Sequence, residues 1–467
     1  MAANRHRSFS SSRRRALQLG ALSWLGLDAG ALAAMRKDAA ESNHRRNSCV
    51  FLFLFGGPSH IDLWDMKPLA PREIRGEFRP VATNVPGIQI CEHLPLLAKQ
   101  MDKLCLLRSM THHMNVHGPA CSEIYTGREY FGPPVTDQAT PRDWPSLAAM
   151  VTRFGRSRPG LPNAVVLPWY SHFVGQDRRI AGQTGGRMGE EFNPFLVEGN
   201  PARDDFNVPG LQLPAEISAT RFQRRRELLQ RIESQGAASR RESEMLGRYT
   251  GFVRRAGRMV EDARIGRALR LKDEPAKLRD GYGRTRIGQS LLLARRMVEA
   301  GVPLITVNWD DDHKNDKVSP HWDTHDDNFP KLKDRLCPPF DRAVAAFVAD
   351  LHDRGLLETT LVVALGEFGR TPKVGTVTQN NMTKPTGRDH WPHAFTVLLA
   401  GGGVRGGQVY GETVANGGYV KDKPVGPADL AATILHHLGV DADKQYDDRF
   451  LQTRQRLCIG KGIRDLG

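Results

Sequence analysis

Apolar residues fall along the chain in two kinds of run, and the two alternate. Cys49–Phe55 is an unbroken run of Val, Phe and Leu that stops at Gly56-Gly57-Pro58, the form of a strand covered on both faces. Shorter runs of the same kind follow at Leu104–Leu107, Ala164–Leu167, Leu304–Val307, Leu361–Leu365 and Phe395–Leu399. Between them apolar positions recur every three or four residues, as in Thr285–Ala300, closed by Gly301, and in Phe340–Leu351. Strand and helix in alternation predict an α/β fold with a largely parallel central sheet and helices on both faces.

Two stretches lack this alternation. Gly175–Gly210 is rich in Gly, Pro and Asn without periodicity and reads as a long loop, a common position for a substrate entrance. Arg221–Lys277 is helix-prone and dense in arginine, with Arg224-Arg225-Arg226 and Arg240-Arg241 beside glutamates at helical spacing. Together they predict an insertion at about 175–277.

The N-terminus is of another kind. Ser12-Arg13-Arg14-Arg15-Ala16-Leu17-Gln18 has the spacing of a twin-arginine export motif, and the weakly apolar Leu17–Ala34, interrupted by Asp28, ends in Ala31-Leu32-Ala33-Ala34. That run is marginal for spanning about 30 Å of hydrocarbon, so cleavage is expected rather than anchoring. The expected organisation is a signal peptide at 1–34, a linker at 35–48, the α/β domain at 49–445 and a C-terminal tail at 446–467. The twin-arginine translocase would be a partner, the location periplasmic or secreted, and no stable membrane span would remain.

A formal net charge of +14, only part of it in the signal, favours acidic partners. No recognition motif, zinc-finger spacing or aromatic-interleaved basic stretch accompanies it, so nucleic acid is not expected. The six cysteines form no Cys-x-x-Cys pair; one disulfide of unassigned pairing is open after export.

Histidines supply the chemistry. They gather as His60, as His112, His113 and His117, as His313, His321 and His325, and as His390 and His393, each group beside a strand. In an open parallel sheet the loops at the carboxyl ends of the strands share one edge, where ligands bind. Asp62, Asp65, Asp310, Asp311, Asp312, Asp323, Glu367 and Asp389 accompany them. Mixed imidazole and carboxylate donors suit zinc, manganese or iron, and calcium where carboxylates dominate. Arg128, in Thr126-Gly127-Arg128, and Arg370, in Glu367-Phe368-Gly369-Arg370, are candidate contacts for a phosphate or sulfate group.

Four segments carry a family resemblance: Phe51–Asp62, Trp322-Asp323-Thr324-His325, Gly366–Pro372 and Gly387-Arg388-Asp389-His390-Trp391-Pro392. They resemble the exported bacterial family called domain of unknown function 1501, over about Cys49–Leu438. That family is similar to the alkaline phosphatase and sulfatase superfamily, which implies an alkaline-phosphatase-like fold and hydrolysis of phosphate or sulfate esters at one or two metal ions. His117–Arg128 is similar in spacing to the sulfatase signature and shares its proline and terminal Thr-Gly-Arg. It departs from it where His117 stands at the position of the cysteine that becomes formylglycine and Cys121 at that of the supporting arginine. Gly56-Gly57 stands where the superfamily commonly has a metal-binding aspartate, so His60 or Asp62 would have to substitute there.

The expected protein is an exported metal-dependent hydrolase without the formylglycine nucleophile. Asp323, His325, Glu367, Asp389 and His390 are expected ligands of zinc, manganese or calcium, with His60 and Asp62 behind them. His117 is a ligand or a nucleophile, Thr111 a second nucleophile candidate, and Arg128 and Arg370 hold an anionic ester. The alternative is a non-catalytic metal-containing protein that binds acidic glycans or a partner protein.

Overall fold

In a computed structural model the described residues run from Asn47 to Gly467, except 133–137, 157, 159, 174–177, 209–210, 212–216, 236–256, 258, 260–261, 311–319 and 379–385. The export motif, Arg240-Arg241, Asp311, Asp312 and His313 therefore lie outside the described residues.

Eight strands form the central sheet: β1 (Ser48–Phe53), β2 (Leu104–Met110), β3 (Ala164–Leu167), β4 (Phe195–Leu196), β5 (Leu304–Asn308), β6 (Thr360–Leu365), β7 (Phe395–Ala400) and β8 (Gln408–Tyr410). Their order is β8-β2-β7-β6-β1-β5-β3-β4. Every neighbouring pair is parallel except those of β7, which runs antiparallel to both β6 and β2. All six strands expected from apolar runs are present. The two short edge strands β4 and β8 were not expected, because Phe195–Leu196 sits among Pro, Asn and Gly, and Gln408–Tyr410 is too short to show a period.

β1 is central, with Cys49 paired in register to Leu304 and Leu361, and it is buried along its length. Its alternate residues feed two cores. Val50, Leu52 and Leu54 face α4 (Arg286–Ala300) and α5 (Cys337–Asp353), whereas Cys49, Phe51, Phe53 and Phe55 face α1 (His117–Thr126), α2 (Leu147–Phe154) and α6 (Pro427–His437). Helices on both faces explain why the strands read as continuous apolar runs. The Thr285 hydroxyl accepts from the Gly288 amide to open α4, which ends at Gly301 with φ +98°. α5 begins before the periodic residues, with prolines in its first turn, directly after a π-helical turn at Lys331–Leu336.

The arginine-rich insertion contributes α3 (Ala219–Gln235), whose described side chains are mostly exposed. The segment expected as a tail instead forms an antiparallel hairpin, Gln445–Asp448 with Thr453–Arg456, and puts Leu457, Cys458 and Leu466 into the core. All six cysteines are buried and unpaired. No described helix is long and apolar enough to cross a membrane.

Candidate metal centre

The loops that follow parallel strands deliver side chains to one edge of the sheet. The loop after β2 brings His117 as the first residue of α1; the loop after β5 brings Asp323 and His325; the loop after β6 brings Glu367 and Arg370. His390 lies ahead of β7, and it reaches the same edge because β7 runs the opposite way. A two-stranded ladder then pairs His390 with Arg370.

Close backbone passage makes this convergence possible. Gly56 has φ +111°, and a Cβ there would lie 2.2 Å from the Asp323 nitrogen; a Cβ on Gly387 would lie 1.9 Å from the His325 oxygen. Both glycines belong to the quoted motifs, and both are excluded from substitution by space.

At the centre the Nε2 atoms of three histidines converge on one carboxylate. His117 Nε2 is 3.1 Å from Asp323 Oδ2, His325 Nε2 is 2.9 Å from Oδ1 and His390 Nε2 is 3.4 Å from Oδ1. One donor atom from each of these four residues lies within 4.8 Å of all the others. Each imidazole is held from behind through Nδ1: His117 by Glu367 Oε1 at 2.5 Å, His390 by the Asn115 carbonyl at 2.7 Å, and His325 by Asp389 Oδ1 at 3.2 Å, close but out of line for a full hydrogen bond. Carboxylate and carbonyl oxygens only accept, so they place the proton on Nδ1 and leave the Nε2 lone pair facing inward.

Lone pairs aimed at a carboxylate repel it unless a cation lies between them. Burial alone would drive the imidazoles neutral, but Asp323 and then Glu367 outweigh it and raise His117 to about 9; Asp323 and Asp389 raise His325 in the same way. His390 is pushed down to about 3 by burial and by the neighbouring His117 charge. Asp323 stays far below the usual carboxylate range, because the charges of His117, Arg370 and His325 overcome its desolvation. The group thus demands positive charge, which protons on two imidazoles supply without a metal and which a divalent ion would supply in their place.

The expected site residues divide accordingly. Asp323, His325, His390 and His117 come together. Glu367 and Asp389, expected as ligands, stand one layer back: Glu367 accepts the Gly56 amide at 3.0 and 3.1 Å besides His117, and Asp389 accepts the amides of His390 and Thr378. His60 is turned away, its Nε2 on the Gly417 carbonyl at 2.9 Å. Asp62 is also elsewhere, fully buried in a bidentate pair with Arg388 at 2.8 and 2.9 Å and bonded to Ser59 and Asn328. Thr111 is tied by its amide to the Val425 carbonyl and makes no described contact with the group.

Neither expected anion contact is free. Arg128 lies over the Trp144 ring at 5.0 Å and donates to the Arg456 carbonyl. Arg370 is fully buried and engaged at every nitrogen: it donates to the carbonyls of Gly57, Arg388, Gly56 and Trp322 and to Asp323 Oδ1 at 2.6 Å. Of the other histidines, His112 bonds the Glu367 carbonyl, His321 Nδ1 lies 4.0 Å from Asp310, and His113 and His393 meet ring to ring at 6.3 Å. Arg388 and Asn115 were missed. The first lay inside a quoted motif, whereas a backbone carbonyl leaves no trace in sequence.

A family model for Protein of unknown function (DUF1501) matches residues 46–462. The chain belongs to that family. The match spans the whole sheet and every residue of the centre, so the DUF1501 unit and the α/β domain coincide. No curated protein matches the chain. Among solved structures, similarity is found to the PsFucS1 sulfatase from Pseudoalteromonas sp. (13% identity, TM-score 0.38, covering 92% of this chain and 75% of that one). It is also found to a phosphonate monoester hydrolase from Silicibacter pomeroyi (12%, 0.37, 90% and 76%) and an alkaline phosphatase from the Antarctic bacterium TAB5 (10%, 0.35, 84% and 98%).

Proposed function

We propose that this protein is an exported, metal-dependent hydrolase of phosphate or sulfate esters. The observation that carries the reading is the inward convergence of three Nε2 atoms on Asp323, with Glu367, the Asn115 carbonyl and Asp389 behind the imidazoles. His117, Asp323, His325 and His390 would hold the ion. A set of three imidazoles and one carboxylate suits zinc or manganese and does not suit calcium, which takes six to eight oxygens. Such an ion supplies Lewis acidity toward an ester oxygen and toward water.

The chain's own residues do the rest. Glu367 and the Asn115 carbonyl keep the Nδ1 protons in place, Asp389 orients His325, and Arg370 fixes Asp323. The rings of Phe55, Phe173 and Phe368 surround His117 at 5.1–6.2 Å and keep the surroundings apolar, which strengthens every charge interaction inside. His117 is the most open member, with 12% of its side chain exposed against 6% or less for the other three, so a substrate would enter beside it. Its Nε2 faces the other ligands, which favours His117 as a ligand over His117 as a covalent nucleophile.

The test is metal analysis of purified protein followed by assay on aryl phosphates, phosphodiesters and sulfates. Bound zinc or manganese, turnover abolished by a chelator, and a His117→Ala variant partly rescued by added metal are the expected results. Metal binding without turnover on any ester would favour the binding-protein reading, which the engagement of Arg128 and Arg370 in other contacts supports. Export rests on the Ser12–Gln18 motif: with Arg13 and Arg14 replaced by lysine the protein should remain in the cytoplasmic fraction, and undiminished export would remove this part of the proposal.

A further inference from the structure

A second site lies apart from the metal centre. Where the chain after β4 meets the chain leading into α4, residues between Pro201 and Arg279 wall a cavity of about 450 Å³, a size typical of small-molecule sites. None of the residues of the metal centre lines it. Phe206, Val208, Leu211, Leu269 and Leu271 make part of its wall apolar, and Arg279 stands among them. Its chemistry does not depend on the proposed hydrolysis.

Arg279 is only 9% exposed and is held in place from the core side. It lies on the short helix Ala276–Tyr282, and its Nε donates to Gln289 Oε1 at 2.8 Å. Gln289, fully buried on α4, is fixed in turn by donating to the carbonyls of Arg279 and Gly283 at 3.0 and 2.8 Å. Nη1 and Nη2 of Arg279 have no partner among the described residues, and neither is sealed in the core, so both open on the cavity. The other buried arginines are engaged there: Arg286, Arg295, Arg370 and Arg388 each meet a carboxylate, and Arg128 reaches the Arg456 carbonyl.

The charges beside Arg279 differ from it. Arg203 is held by both oxygens of Asp205 at 2.8 and 2.9 Å, and Arg270 by Asp273 at 2.9 Å. Lys272 and Asp204 line the cavity too, but both are exposed and keep their hydration. Arg279 is buried with a neutral partner. Burial, and then the charge of Arg284, lower its pKa, and Asp204 and Asp280 offset only part of this. A guanidinium keeps its proton in a protein, so the strain remains as a cation short of acceptors.

We infer that this cavity binds an organic carboxylate, with its two oxygens on Nη1 and Nη2 of Arg279 and its apolar body against Phe206, Val208 and Leu271. Two parallel N–H···O bonds from one edge of a guanidinium match the two coplanar oxygens of a carboxylate. A phosphate dianion fits less well. Its second charge would have only the exposed Lys272 to meet, with the carboxylate of Asp204 in the same wall.

The experiment is calorimetric titration of the purified chain with hexanoate, hexanamide and hexyl phosphate at about pH 8, where the last is dianionic. Hexanoate should saturate one site per chain and bind roughly tenfold or more tightly than either of the others. Arg279→Met should weaken hexanoate by roughly tenfold or more, and Arg279→Lys, which keeps the charge and loses the fork, should recover only part. His117→Ala alters the metal centre and should leave hexanoate affinity within about twofold. Because Arg279→Met can disturb packing, a second measurement uses the unaltered chain. Phenylglyoxal attacks accessible guanidinium nitrogens, so peptide mapping should find Arg279 modified before Arg295 and Arg388, and hexanoate should protect it. No saturable binding of hexanoate, equal binding of hexanamide, tighter binding of hexyl phosphate, affinity lost in His117→Ala or kept in Arg279→Met, or no protection of Arg279 overturns the inference.

Discussion

Asp62 and Asp323 are both buried, both come from motifs that mark the family, and both were candidate ligands, yet their surroundings are opposite. They are also neighbours, since Asn328 donates to Asp62 while accepting from Thr324, the residue after Asp323. Asp62 is closed. Arg388 grips both of its oxygens, and Ser59 and Asn328 add hydrogen bonds. Asp323 has one guanidinium on one oxygen and three imidazole nitrogens arrayed around the pair of oxygens. Buried acid and buried base thus serve two purposes in one wall of the fold. Where a guanidinium and neutral donors enclose the carboxylate the result is structure, and where imidazoles gather around it the result is a group that could hold a cation.

The largest effect that tests this contrast falls on the closed pair. Arg388→Met would leave Asp62 buried without its cation and strip donors from the Ile74, Thr371 and Pro372 carbonyls. A loss of about 3–5 kcal/mol is expected in urea unfolding, with metal stoichiometry unchanged in the fraction that folds. Stability near that of the unaltered protein, together with lost metal, would reverse the roles assigned to the two carboxylates.

A smaller effect sharpens the other half. Asp389→Asn and Glu367→Gln remove the negative charge behind His325 and His117 without touching the inward nitrogens, so each should weaken metal binding about 10–100-fold, or about 1.4–2.7 kcal/mol, in competition with a chelating dye. Asp62→Asn should leave metal affinity within about twofold in the same measurement. Equal losses in all three variants would show that burial, and not the imidazole backing, governs the centre.

Much of this architecture was legible in sequence because it depends on local pattern. Val50, Leu52 and Leu54 alternate with Cys49, Phe51 and Phe53 toward two cores, and such a strand must be apolar throughout. The helices were legible in their periodic middles and less so at their ends, as α5 shows by starting in a proline-rich turn. The site was half legible. Residue type and position at strand ends identified Asp323, His325, His390 and His117 as candidates, but the same criteria admitted His60, Asp62 and Arg128, which have the same chemistry and other partners.

The sequence by itself determined that the chain forms a covered, largely parallel sheet and that histidines and carboxylates gather at its edge, because strand burial and loop position are properties of consecutive residues. It did not determine which of them face one another. Glu367 stands behind His117 because the Gly56 amide and His117 Nδ1 both reach it. Arg370 became a fixed internal cation because carbonyls from Gly56, Gly57, Trp322 and Arg388 enclose it. His390 entered the centre from ahead of its strand because β7 alone runs against the sheet. Each outcome was fixed by contacts between segments far apart in the chain, and the free energy of a buried charge depends on those partners and not on its neighbours in sequence.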